Sequence, residues 1–332
     1  MISKPMLHWN SMTGFLLAGL LGASSLSAAP TGEDWLQKMS KAVEVSNYRG
    51  TIARSYGGKV EYLKVVHKYE NGQVTEKLET MDGASRTIIR DANGVRCFLP
   101  ESKAVLVEAS STDTGLFSRI PVSMERLREQ YDVLLFPSKI RIADRQSVLV
   151  EIRPRDSLRY RHRLWLAEPS GLPLKTEMID EFGKAIEQVR FVDLNLDAAI
   201  PSSEFDLNID TQGFRFIRQG PSGVKPIQSA QSVSDARWQA GQLPPGFSLS
   251  YSNGAESKAR HLIFDDGLAS VSVFIEPPKP GTPQISGHST LGGSNAYSAV
   301  VQGYQITAVG EVPRRTVRLI ARSLSMQAPD AP

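Results

Sequence analysis

Beyond Gly50 the chain alternates apolar and polar residues in short runs broken by tight-turn dipeptides, a period of two that predicts strands. Runs at 51–56, 59–70 and 73–80 are joined by Gly57-Gly58 and Asn71-Gly72, so consecutive antiparallel hairpins are expected. Further strands are expected at 86–90, 95–99, 103–108, 139–143, 147–153, 159–167, 172–179 and 185–194. Two stretches carry helical spacing instead. The first opens on the capping pair Thr31 and Asp34 and puts Trp35, Leu36, Met39, Ala42 and Val43 on one face. The second covers 123–130, with Met124 and Leu127 inward.

Some strands are apolar on both faces, as in Ala104-Val105-Leu106-Val107 and Val148-Leu149-Val150. Such a sheet is either covered on both sides, by helices and a loop, or curls around a ligand-holding hollow. From 219 to 235 the composition shifts to Gly, Pro, Ser and Gln without apolar periodicity, which reads as a linker. After it, strands are expected at 247–251, 260–264, 269–276, 296–301 and 304–309. A closing helix then starts at Pro313, with Val317, Ile320, Ala321 and Leu324 on one stripe and Arg314, Arg315, Arg318 and Arg322 on the rest. The expected fold class is α+β: a large antiparallel domain over 30–218, the linker 219–235, and a smaller α+β domain over 236–326.

The N-terminus reads differently. Lys4 precedes an apolar stretch from Met12 to Leu21 and a small-residue run from Ala23 to Ala29, the pattern of a secretory signal peptide over 1–28. That stretch is shorter than the ~20 residues of a membrane helix, and no membrane span is expected elsewhere. Its removal leaves 37 basic and 35 acidic residues, a near balance that gives no global electrostatic case for nucleic acid. Cys97, the only cysteine, excludes an intramolecular disulfide, and its place between Val95 and Leu99 puts it on the apolar face of a strand.

Chemistry is sparse. His67, His162, His261 and His288 are isolated from one another, so neither metal nor cofactor is expected. Neither a nucleophile elbow nor a phosphate loop is present, and Asp265-Asp266-Gly267 reads as a hairpin turn. No enzyme is expected. The alternation of Arg159, Arg161 and Arg163 places three guanidinium groups on one strand face, suited to phosphate or carboxylate or else simply solvated. Leu116-Phe117, within small polar residues, reads as a lid or as a loop tucked into the core. With Leu106 on the two-faced sheet, these are the candidate ligand-binding residues.

The order of features resembles the RseB/MucB family of periplasmic regulators of the envelope-stress sigma factor. The resemblance rests on Asp34-Trp35-Leu36, Asn47-Tyr48-Arg49-Gly50-Thr51, Leu243-Pro244-Pro245-Gly246-Phe247 and Asp266-Gly267-Leu268-Ala269-Ser270-Val271-Ser272-Val273-Phe274. Asn295-Ala296-Tyr297 and Gly310-Glu311-Val312-Pro313 continue it. It implies a periplasmic location and a half-barrel large domain like the lipoprotein carriers. It further implies binding to the periplasmic segment of a membrane anti-sigma factor, which shields that segment from proteolysis and is relieved by lipopolysaccharide or a lipoprotein. The second domain, through Arg314, Arg315, Arg318 and Arg322, is then expected to grip the partner. The alternative is a lipid or lipoprotein carrier. Association into homo-oligomers is left open.

Overall fold

The computed structural model describes residues 29–108, 124–136, 140–196, 199–219, 237–253, 259–278, 280–281 and 283–326. The expected signal peptide, the Leu116-Phe117 lid and all but the first residue of the linker lie outside them. Helix α1 (Gly32–Val45) begins as its sequence dictates. The Asp34 amide donates to Thr31 Oγ1 at 3.2 Å, and the Thr31 amide donates back to the Asp34 carboxylate at 2.7 Å.

The large sheet contains β1 (Tyr48–Tyr56), β2 (Lys59–Glu70), β3 (Gln73–Thr80), β4 (Thr87–Asp91), β5 (Gly94–Leu99), β6 (Ala104–Glu108) and β7 (Tyr131–Phe136). It continues with β8 (Arg141–Ile142), β9 (Arg145–Pro154), β10 (Arg161–Ala167), β11 (Pro173–Ile179), β12 (Ala185–Leu196) and β13 (Arg215–Gln219). In space the order is β13-β6-β5-β4-β3-β2-β1-β12-β11-β10-β9-β7, with β8 hairpinned onto β9, so the sheet is open. Pairing is antiparallel except between β13 and β6. The Gly57-Gly58 and Asn71-Gly72 turns have positive φ at both residues, the type I′ geometry that matches strand twist.

Helix α1 touches β2 on one side and β7 and β9 on the other. Five strand spacings separate β2 from β9, about 24 Å on a flat sheet, against a helix about 10 Å wide. The sheet must therefore curve around α1. Leu36, Met39 and Val43 pack in the concavity against Tyr48, Ile52, Val65, Val150, Leu164 and Phe191. On the convex side, Leu149, Trp165 and Leu174 pack with Ile142 of the β8 hairpin, while Ile89, Phe98 and Val105 lie under Leu207, Ile209 and Phe214. Strands apolar on both faces are thus covered by a helix within and by hairpin or loop outside.

A second core belongs to β15 (Ser248–Ser252), β16 (Arg260–Asp265), β17 (Ser270–Glu276), β18 (Gly287–Leu291), β19 (Ser294–Val301) and β20 (Tyr304–Gly310). Their order is β15-β16-β17-β20-β19-β18, and β14 (Trp238–Ala240) pairs with β21 (Leu324–Met326) beside them. Helix α3 (Arg314–Ser323) lays Val317, Ile320 and Ala321 on this sheet, against Val273, Ile306 and Ala308. The other helix, α2 (Met124–Gln130), buries Leu127 and runs directly into β7.

Several expectations are corrected. Strand β7 was not anticipated, nor were β13, β14, β18 and β21. The strand expected at 139–143 is cut to two residues, because Ala143 and Asp144 form a turn with φ of 46° and 59°. Cys97 is only half-buried, and its neighbour Phe98 is the buried residue. The apolar layer over this part of the sheet is supplied by residues 207–214 on the opposite face from the one Cys97 occupies.

Candidate functional site

Residues paired in register share a sheet face. Leu78, Ile88, Cys97, Leu106 and Ile217 are successive partners across β3, β4, β5, β6 and β13, so Leu106 sits on the α1 face, at the end of an apolar strip leading from the core to the sheet edge. Ile88, Cys97 and Leu106 are half-buried, and Ile217 is 42% exposed. Burial raises the Cys97 thiol pKa above its usual value. Beside the strip on the same face, two residues along β3 and β4, runs a polar row in which Tyr48, His67, Glu76 and Arg90 are register partners. The Tyr48 ring stacks on His67 at 4.8 Å, and Arg90 donates to Glu76 at 2.7 Å.

The arginine row does not meet this strip. Strand β10 starts at Arg161, so the alternation never reaches Arg159. Arg163 is the register partner of Glu151, on the opposite face from the core residues Leu164 and Val150. Glu151, 3% exposed, accepts from Arg163 at 2.9 Å and pairs with Arg153 at 2.7 Å, while Arg161 lies at 3.7 Å. Although burial opposes it, these guanidinium groups hold the Glu151 carboxyl below its ordinary range. Arg161 and Arg163 are therefore convex-face residues, on the opposite face of the sheet from Leu106.

Arg159 instead joins the two sheets. Its side chain has no solvent exposure and bonds the carboxylate of Asp266, also fully buried, together with Asp156 and the Pro245 carbonyl. The Tyr131 hydroxyl donates to Asp266 at 2.8 Å, and the Arg159 guanidinium lies over the Tyr131 and Phe247 rings. Asp266 does make the expected hairpin turn, since its other oxygen accepts from the Leu268 and Ala269 amides at 2.9 and 2.7 Å. Around this centre, Asn295 donates to the Tyr160 hydroxyl at 2.8 Å, Thr316 to the Leu158 carbonyl at 2.7 Å, and Arg126 to the Asp265 carbonyl at 2.9 Å. Burial pushes the Tyr160 phenol up to about 12 and His162, on the core face of β10, down to about 4. Spacing could not have revealed this junction, because Arg159 and Asp266 are 107 residues apart.

The four arginines of α3 divide. Arg315 turns to the large sheet, donating to Ser157 at 2.8 Å and Glu181 at 3.2 Å. Arg314, Arg318 and Arg322 line a groove of about 600 Å³ together with Arg315, His288, Gly241 and Ser323. Arg314 donates to Thr290 at 3.0 Å and Arg322 to the Tyr297 hydroxyl at 2.9 Å, both neutral acceptors. Among the described residues none of these three arginines has a carboxylate partner. Partial burial and the three cations together lower the pKa of His288.

Residues 31–209 match the MucB/RseB N-terminal domain, and residues 232–325 match the MucB/RseB C-terminal domain. The chain belongs to the MucB/RseB family. A relative in Pseudomonas aeruginosa, sigma factor AlgU regulatory protein MucB, is 30% identical over 94% of this chain and 96% of its own length. Sigma-E factor regulatory protein RseB of Escherichia coli K12 is 26% identical over 96% and 98%. The crystal structure of MucB in complex with MucA(peri) superposes with a TM-score of 0.69 at 28% identity, covering 90% of this chain and all of that one. The crystal structure of MucB gives a TM-score of 0.60 at 26% identity, covering 89% and 98%. The two-core architecture described above is thus that of the MucB/RseB family. Among the described residues, no cluster of His, Cys, Asp and Glu could hold a metal, and no helix is long and apolar enough to cross a membrane.

Proposed function

We propose that this chain is a periplasmic regulatory binding protein that holds the periplasmic segment of a membrane anti-sigma factor and shields it from proteolysis. The observation that carries this reading is the match, along nine-tenths of the chain, to MucB in complex with MucA(peri). The division into 30–218 and 236–326 is part of the proposal, supported by two separate apolar cores. We read the chain as a binder, not an enzyme, because its buried carboxylates are tied into ion pairs, Glu76 with Arg90, Glu151 with Arg153 and Arg163, and Asp266 with Arg159. Relief by an acylated ligand is supported by the apolar strip ending at Leu106 and Ile217, where a chain could lie along the inner face.

A lipid or lipoprotein carrier would use the same strip. It would have no need of a second sheet fastened through a fully buried ion pair. Limited proteolysis tests the proposal: an isolated anti-sigma periplasmic segment, disordered when free, is expected to be cleaved slowly with the mature chain present and rapidly without it. Unchanged cleavage would remove the regulatory reading.

A further inference from the structure

We propose that the outer edge of β18 and the arginine ladder of α3 form one docking site for an extended partner segment carrying carboxylates at alternate positions. This rests on the reading of the chain as a protein-binding regulator and names the chemistry its second sheet would grip.

Two independent features meet here. Strand β18 ends the small sheet and pairs only with β19 among the described residues. Its hairpin closes through Gly292 and Gly293, with Gly292 at φ 60°, which makes Leu291 and Ser294 the hydrogen-bonded closing pair. By the antiparallel alternation, Ser289 with Ala296 and Gly287 with Ser298 also exchange bonds inward. The amides and carbonyls of His288 and Thr290 therefore point to the free edge, where they have no hydrogen-bond partner among the described residues. That edge can template another strand.

The second feature is charge in register with that edge. Arg314 reaches Thr290 of β18, Arg322 reaches Tyr297, the cross-strand partner of His288, and all three ladder arginines share the groove with His288. Four residues of helix advance about 6 Å, so Arg314, Arg318 and Arg322 repeat at that interval. Alternate side chains of a strand repeat at about 6.7 Å. A strand added to β18 would present every second side chain toward α3, at nearly the arginine spacing. The Arg314 and Arg322 guanidinium groups are oriented by neutral acceptors, so their charge is not cancelled from within. A membrane surface fits less well, because the apolar stripe of α3 is buried in the core and offers nothing to insert.

The experiment uses the mature full-length chain and a labelled short peptide of alternating Glu and Thr. Its comparators are the same composition with the Glu residues contiguous, an alternating peptide N-methylated on its edge-facing amides, and phosphatidylglycerol vesicles. The alternating peptide is expected to bind at low salt, with affinity falling by about tenfold or more in R314Q/R318Q/R322Q and in the N-methylated form. Thermal unfolding of the variant, expected to match the parent, separates lost binding from lost fold. Equal binding of the contiguous peptide, or binding of vesicles alone, would overturn the proposal. So would undiminished peptide binding by the triple variant. An anti-sigma segment that still binds the triple variant at parental affinity would overturn this site while leaving the regulator reading standing.

Discussion

The Arg159 guanidinium and the Asp266 carboxylate, 107 residues apart in sequence, meet with neither side chain exposed to solvent. Two charges removed from water attract strongly but also forfeit hydration, so the pair stays viable only because Asp156, Pro245 and Tyr131 satisfy the remaining valences. Its main consequence is to fix one sheet on the other.

Removing one partner should therefore cost more than removing both. Asp266→Ala is expected to destabilise the chain by about 3–5 kcal/mol, since it strands a buried guanidinium, and adding Arg159→Met should restore part of the loss. Denaturant unfolding of the two variants reads this directly. A single variant within experimental error of the parent would show that the pair is not the fastening.

Glu151 is held by three arginines on the convex face. Glu151→Gln removes the shared counter-charge and leaves the guanidinium groups repelling one another, so a loss of stability is expected that grows at low salt and shrinks at high salt. Melting temperatures measured across a salt series check the sign.

His162 gives a pH dependence. Burial lowers its pKa from 6.5 to about 4, although Glu311 and Asp266 oppose the shift. Between those values the unfolded chain binds the proton and the folded chain does not. Stability is therefore expected to fall as pH drops from about 6.5 toward 4, and to be fully expressed above that window. His162→Gln should flatten this part of the profile. His67, also lowered by burial, acts in the same direction and remains in the variant as an internal control.

Local signals were readable in the sequence where local physics decides. The capping pair Thr31 and Asp34 and the turns at Gly57-Gly58 and Asn71-Gly72 placed α1 and three hairpin strands within a few residues of where they lie. The arginine stripe of α3 was legible for the same reason. What failed was nonlocal. Strand β13 adds to β6 in parallel after a long excursion, with no hairpin to announce it. That Phe98 is buried more deeply than Cys97 was decided by residues 207–214 arriving from elsewhere. Arg159 looked like the first member of an alternating row, but the strand begins two residues later, and what gives it a role is Asp266 in the other sheet.

Cys97 offers a probe of the inner strip. Half-buried and with its thiol pKa raised by burial, it should alkylate slowly near neutral pH. An acylated ligand lying between Leu106 and Ile217 should slow it further, and the comparison is the rate of maleimide labelling with and without a saturating acyl detergent or lipopeptide. A rate untouched by such a ligand would place the acyl chain elsewhere.

Under the proposed function the folded chain captures an anti-sigma periplasmic segment. Calorimetric titration of the mature full-length chain with that purified segment tests it most directly. Saturable binding with a negative heat-capacity change is expected, as apolar surface is buried and a disordered segment becomes ordered. Absence of any saturable heat at temperatures spanning the expected heat-capacity range, with the segment intact, would contradict it.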